Sequence, residues 1–142
     1  MSPLENRLTI MGRLDEIAQV RDFVTATARA IGLSEQAIHH CELAIDETCT
    51  NIIEHGYQLD GSAKPIEIIC ETASDRLVIH IRDQGPAFNP LVRPDPDPTT
   101  DLEERSDGGW GIYFTKKVMD DVQYLRDGQF NQLTLSKRFG LQ

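Results

Sequence analysis

The sequence predicts an α/β two-layer sandwich: a mixed, mostly antiparallel sheet covered on one face by three helices. Three observations predict it. Two consecutive stretches, 15–31 and 34–55, place apolar residues three or four apart, the period of a half-buried helix. Two later stretches, 66–72 and 77–82, alternate apolar and polar residues across a three-residue turn, as a hairpin does. The chain then closes with a second alternating pair around Asp127-Gly128.

Each element follows from its residues. Arg7 to Gly12 is a short extended segment with Leu8 and Ile10 on one face. Asp15 to Ile31 carries Ile17, Val20, Val24, Ala28 and Ile31 at helical spacing, and Gly32 ends it. Ser34 is a good N-cap for a second helix running to about His55, with Ile38, Cys41, Ile45, Cys49 and Ile52 as its apolar stripe and Gly56 as its stop. Ile66 to Thr72 and Leu77 to Arg82 form the first hairpin through Ala73-Ser74-Asp75. Pro86 to Asp107 holds Pro90, Pro94, Pro96 and Pro98, followed by Asp101, Glu103, Glu104 and Asp107. Such a run of prolines excludes an ordinary helix or inner strand, and a long unpatterned segment in a compact domain is usually functional or mobile. A third helix spans Trp110 to Met119, and Val122–Leu125 with Gln129–Phe139 make the closing hairpin. The order is β-α-α-β-β-loop-α-β-β.

A chain of 142 residues is one domain by size and long enough to bury a core without disulfides. Its 39% hydrophobic and 26% charged residues fit a globular protein. A net charge of −9 argues against nucleic acid as a direct partner and for basic protein surfaces. Cys41, Cys49 and Cys70 are odd in number and form no Cys-x-x-Cys pair, which argues against a disulfide framework or zinc site. With no long apolar run at the N-terminus, no membrane contact is expected and the expected compartment is the cytoplasm.

Three separated segments carry chemistry. Glu47-Thr48-Cys49-Thr50-Asn51 puts a carboxylate and an amide four residues apart, on one face of a helix. Such a pair offers a base and an oxygen ligand for Mg²⁺, although it also describes two solvated residues on a polar helix face. His55, one turn further, either points at phosphate or acts as a cation at the helix end. Asp83-Gln84-Gly85 is an acidic turn at a strand end, where a buried carboxylate can accept the exocyclic amine of adenine and a glycine lets the backbone approach the base. A plain Asp-x-Gly turn is the competing reading. Gly108, Gly109 and Gly111 form a glycine-rich entry to the third helix, where backbone N–H groups and the helix dipole favour phosphate, or else a simple hinge.

In order and residue type these segments match the N, G1 and G2 boxes of the GHKL ATPases, the superfamily of histidine kinases, MutL and gyrase B. Within it the chain resembles, over nearly its whole length, the small anti-sigma-factor serine kinases of the RsbW type. Glu47 to Tyr57 resembles that family's N box down to the terminal His-Gly-Tyr. Arg82-Asp83-Gln84-Gly85-Pro86-Ala87-Phe88-Asn89-Pro90 resembles its G1 box, and Gly108-Gly109-Trp110-Gly111-Ile112 with Val118-Met119-Asp120 its G2 box and following helix.

The resemblance implies a Bergerat ATP-binding fold over residues 1–142, with an ATP lid at about 86–108. It implies that the protein binds ATP and Mg²⁺, holds a sigma factor inactive, phosphorylates a serine on a small anti-anti-sigma protein of the STAS type, and forms a homodimer. By position Glu47 resembles the catalytic base, Asn51 the Mg²⁺ ligand and Asp83 the adenine acceptor. Gly85, Gly108, Gly109 and Gly111, with His55, Phe88, Arg105 and Ile112, fall at nucleotide-contacting positions.

The sequence departs from the family at three places. Arg105 lies about two residues upstream of the usual lid arginine, Phe130-Asn131 replaces a Gly-Thr pair near adenine, and Trp110 is bulky for its position. Two other classes of function remain open: a non-catalytic protein-binding module that keeps the fold, and the detached ATP-binding half of a histidine kinase. Against the latter, His39 and His40 lie on the second helix, inside the domain, and read as surface residues.

Overall fold

A computed structural model describes residues 5–57, 64–92 and 107–139, with the backbone alone for 107–110. Five strands form one sheet in the order β1-β2-β3-β5-β4: β1 Glu5–Met11, β2 Pro65–Thr72, β3 Arg76–Asp83, β4 Asp121–Asp127 and β5 Phe130–Arg138. All four ladders are antiparallel, so among the described residues the sheet goes to the limit of the mostly antiparallel arrangement expected. Three helices, α1 Ile17–Ala30, α2 Glu35–Asn51 and α3 Asp107–Val118, complete the sandwich.

The core lies between the helices and one sheet face. Ile66, Ile68 and Cys70 on β2, Leu77, Ile79 and Ile81 on β3, and Leu133 and Leu135 on β5 share the inward parity and are buried. Against them pack Val20, Val24 and Ala28 of α1 and Ile38, Cys41, Ile45 and Cys49 of α2. A fully buried isoleucine side chain stabilises the fold by roughly 1.5–3 kcal/mol, so this face supplies most of the driving force. On the opposite face polar side chains pair across strands: His80 Nε2 lies 2.5 Å from Glu71 Oε1, and the Arg82 guanidinium sits 4.6 Å above the Phe130 ring.

Local rules set the helix ends. Gly32, at φ +92°, closes α1 in a Schellman motif, with Leu33 N–H donating to Ala28 O and Gly32 N–H to Arg29 O. Ser34 Oγ accepts the Ala37 N–H at 3.1 Å and caps α2 as expected.

The structure corrects the sequence reading in four places. First, α2 does not run regularly to His55: after Asn51 it widens into a π turn, Ile52–Gly56, closed by the Tyr57 N–H on Ile52 O at 2.7 Å. Ile53, four residues after Cys49, is buried, and Ile52 is half-buried against the same core. Second, α3 starts at Asp107, three residues before Trp110, so Gly108 and Gly109 lie inside the helix rather than before it. Third, the last hairpin turns at Gly128-Gln129, one residue later than expected, because the left-handed φ of +60° falls on Gly128 as first loop residue. Fourth, Pro90–Val92 forms a 3₁₀ turn inside the segment read as unpatterned. The rest of the expected lid, 93–106, and with it Arg105, lies outside the described residues.

Among the described residues no helix is long and apolar enough to cross a membrane.

Candidate functional site

A cavity of about 450 Å³ opens between α2, α3 and the ends of β3, β4 and β5. The C-terminal turn of α2 and the π turn supply one wall with Thr48, Asn51, Ile52, His55 and Gly56. Ile112 and Thr115 of α3 close a second side, and Pro86, Phe88 and Pro90 after β3 close a third. Asp83, Tyr124, Asn131 and Leu133 reach it from the sheet. Five residues expected from sequence, Asn51, His55, Asp83, Phe88 and Ile112, therefore line one cavity.

The remaining described candidates stand beside it. Glu47 is exposed, one helical turn before Asn51, and its carboxylate lies against Gly111: a β-carbon added to Gly111 would collide with Glu47 Oε2 and sit 3.5 Å from Asn51 Nδ2. Missing side-chain bulk on α3 thus admits the α2 carboxylate. Gly108 and Gly109 occupy the first turn of α3, whose N–H groups have no partner within the helix. Gly85 packs behind Asp83, where an added β-carbon would lie 3.0 Å from Asp83 Oδ1 and 3.5 Å from the Gly56 backbone.

Asp83 is the most constrained polar group of the site. It ends β3 on the inward parity of Leu77, Ile79 and Ile81 and is only 6% exposed. Oδ1 accepts the Gly85 N–H at 2.8 Å and the Asn131 Nδ2–H at 3.1 Å. Both recorded bonds fall on Oδ1, which leaves Oδ2 as the acceptor for a ligand. Burial raises the Asp83 pKa above the usual carboxylate range, and the bonds from Asn131 and Gly85 and the charge of Arg126 partly oppose that rise.

The turn after β3 is braced from several sides. Tyr57 Oη donates to Pro65 O at 2.6 Å and accepts the Gln84 N–H at 2.8 Å. Arg126 Nη1 donates to Gly85 O at 2.9 Å. Asn131 Nδ2 also donates to Gly85 O and Pro86 O, while its Oδ1 accepts from Phe88 N–H and Tyr124 Oη. Sequence reasoning gave none of Tyr124, Arg126 or Thr115 a place in the site; it met Tyr57 only as the end of the N box and Asn131 only as part of the pair that replaces Gly-Thr near adenine. One signal was present for Asn131: it shares the inward parity of Leu133 and Leu135, and a polar residue on a buried parity needs partners. The 2%-exposed Thr115, whose Oγ1 donates to Gly111 O at 2.9 Å, breaks the apolar face of α3 in the same way.

Asn51 offers a hard amide oxygen on the cavity wall, and among the described residues no group of three or more His, Cys, Asp or Glu side chains is placed to hold an ion. Mg²⁺ typically takes one or two protein oxygens and completes its shell with phosphate and water.

Comparison with known proteins gives the chain's relatives. The profile of the histidine kinase-like ATPase domain matches residues 10–137. The serine-protein kinase RsbW of Bacillus cereus (strain ZK / E33L) is 31% identical over 124 residues, covering 84% of this chain and 76% of that protein. RsbW of Bacillus licheniformis is 30% identical over 109 residues, 72% of this chain and 66% of that one. In fold, the chain is similar to the RsbU and RsbW domains of a Mycobacterium tuberculosis protein, with TM-score 0.67 at 20% identity over 97% of this chain. It spans 32% of the length of that structure's chain. The Acinetobacter baumannii histidine kinase AdeS is similar with TM-score 0.54 at 14% identity, covering 96% of this chain and 68% of that one. A profile match over nearly all of the sequence, joined to relatives at about 30% identity, places the chain in the histidine kinase-like ATPase domain family.

Proposed function

We propose that this protein is an ATP-dependent serine-protein kinase that binds and inhibits a sigma factor and phosphorylates a serine on a STAS-type anti-anti-sigma protein. The observation that carries this reading is the meeting of Asn51, His55, Asp83, Phe88 and Ile112 in one cavity with the Glu47 carboxylate at its side. The relatives named serine-protein kinase support the reaction class. The two protein partners rest on the resemblance of the boxes to the sigma-antagonist kinases.

ATP, when bound, would supply the phosphoryl group, and Mg²⁺ would supply charge that neutralises its phosphates. The chain's own residues then position and polarise. Asp83 Oδ2 accepts the exocyclic amine of adenine, which a 6-oxo purine lacks. Phe88 and Ile112 give the base apolar contact. The Asn51 side-chain oxygen would hold the metal. Backbone N–H groups of Gly108 and Gly109 in the first turn of α3 face phosphate oxygens, where the helix dipole favours negative charge. His55 stands on the same wall and contributes a donor. Glu47 would accept the proton of the serine hydroxyl as that oxygen bonds to the terminal phosphorus of ATP and ADP leaves with the broken P–O bond's electron pair. Its exposure fits a base that must meet a hydroxyl carried by another protein.

A pull-down from native lysate, followed by phosphotransfer from labelled ATP to each captured protein, tests the reading. Acid-stable phosphoserine on a STAS-type partner, lost with Glu47→Ala while ATP binding persists, is the expected result. Acid-labile phosphate would assign the chain to histidine kinase chemistry instead. No ATP binding at millimolar concentration would make it a protein-binding module.

A further inference from the structure

Asn131 has more hydrogen-bond partners than any other described side chain at the site. Its Nδ2 lies 3.1 Å from Asp83 Oδ1, 3.2 Å from Gly85 O and 2.9 Å from Pro86 O. Its Oδ1 accepts the Phe88 N–H at 3.3 Å and the Tyr124 hydroxyl at 2.5 Å. A primary amide has two N–H donors and two acceptor lone pairs, so five partners leave nothing for a ligand. Asn131 nevertheless lines the cavity and is 7% exposed.

We propose that Asn131 is a positioning residue for nucleobase recognition: it locks Asp83 Oδ1 into the turn after β3, leaves Oδ2 as the polar atom that reads the base, and itself makes no hydrogen bond to the base. This rests on the proposed ATP site. The turn Gly85-Pro86-Ala87-Phe88 wraps around the amide, so one side chain fixes both the carboxylate and the Phe88 wall. Free of Asn131, the carboxylate could rotate about χ2 and present either oxygen, or neither, to a purine amine.

The charge state of Asp83 depends on the same contact. Removing a donor from a buried carboxylate disfavours its ionised form, and a protonated Asp83 competes poorly as an acceptor. Asp83 is faced by Arg126 from β4, Asn131 from β5, Cys49 from α2 and Tyr57 beyond the π turn, with His55 in the same cavity wall. All but Asn131 are common to wild type and an Asn131 variant, as are the phosphates of the nucleotide. The difference between their pH profiles therefore reports the Asn131–Asp83 contact.

The test compares ATP with a purine riboside triphosphate lacking the 6-amino group, by titration calorimetry from pH 5 to 8, on wild type and Asn131→Ala. At pH 7 ATP affinity is expected to fall on the order of tenfold, the loss of one hydrogen bond to a charged group. Affinity for the analogue should change far less, and the acid limb of ATP binding should move to higher pH. An equal loss for both nucleotides, no loss, or an unmoved acid limb overturns the proposal. If Asn131→Ala does not fold, Tyr124→Phe, which removes one bond to Asn131 Oδ1, carries the same comparison with the same signs and the same overturning results. Wild type that binds no ATP overturns the nucleotide site itself. Wild type that binds ATP and the analogue equally overturns the reading role of Asp83. Both outcomes are distinct from a failure of Asn131 alone.

Discussion

Glu47 on α2 and Gly111 on α3 are in such close contact that the glycine's missing side chain is the space the carboxylate occupies. The atom that would collide is the far end of a flexible side chain, so Gly111→Ala can be accommodated by swinging Glu47 aside. Alanine also favours a helix over glycine by roughly 1 kcal/mol. We expect Gly111→Ala to fold with a melting temperature unchanged or higher by about 2–4 °C. ATP affinity should hold within a few-fold while phosphoryl transfer falls by about a hundredfold, the scale of a 1 Å misplacement of a reacting group. Single-turnover transfer set beside calorimetric ATP binding separates the two effects. Wild-type transfer in this variant would remove Glu47 from the reaction.

Asp83→Asn is expected to exchange stability against recognition. The asparagine oxygen can keep both bonds made by Asp83 Oδ1, to Gly85 N–H and Asn131 Nδ2. Its amide nitrogen then replaces Oδ2 and offers a donor where the carboxylate offered an acceptor, so preference should move from ATP toward a 6-oxo purine nucleotide. Because burial raises the Asp83 pKa, the folded state binds this proton more tightly than the unfolded chain. The stability from that proton is complete below the unfolded pKa and is lost as pH rises through the raised folded value. Asp83→Asn should thus melt no lower than wild type at pH 7, and its stability should lack this fall with rising pH. Melting curves from pH 4 to 8 with ATP and inosine triphosphate titrations check both halves.

The parts of this molecule that follow local rules were legible in the sequence. Ser34, Gly32 and the alternation of Ile66, Ile68 and Cys70 act through neighbours a few residues away, and each does what its type predicts. Asn51 and Asp83 were legible as chemistry because their motifs name them, but their meeting across α2 and β3 is a tertiary fact. What escaped depends on partners distant in the chain. The π turn at Ile52–Gly56 has no local signature in Ile-Ile-Glu-His-Gly. Asn131 gains its meaning only when β5 lies beside β3, with Asp83 directly opposite it in register. Arg21 on α1 pairs with Asp46 on α2 at 2.9 Å, while Arg13 and Arg29 lie near Glu16 and Glu35. Periodicity on one helix could not show a partner on the next.

The three cysteines should be inert in the folded protein. Cys41, Cys49 and Cys70 are free and buried, and burial pushes each thiol up to about 12. The reactive form is the thiolate, which is then scarce at neutral pH. A thiol reagent should modify none of them within minutes at pH 7.5 and all three in denaturant, as mass spectrometry would count. Rapid modification of Cys49, which lies between Thr48 and Asn51 on α2, would mean that the cavity wall opens in solution.

Tyr57 joins the end of the π turn to two separate segments, and its loss should be felt in both. The ring is 4% exposed, and its hydroxyl donates to Pro65 O and accepts from Gln84 N–H, the residue between Asp83 and Gly85. Phenylalanine preserves the packing but leaves a carbonyl and an N–H short of partners, each costing about 1–3 kcal/mol where water cannot replace the bond. Tyr57→Phe should therefore lower the melting temperature by several degrees, at about 2–4 °C per kcal/mol for a chain of this size. The sharper readout is local. The Gln84 amide should lose protection in hydrogen exchange, whereas amides in the middle of β3, such as Ile79, change only as global stability falls. ATP affinity should fall with the Gln84 amide, because that turn carries Asp83 Oδ1 and Gly85. Unchanged protection at Gln84 would show that the hydroxyl does not brace the turn and that Asn131 and Arg126 hold it without Tyr57.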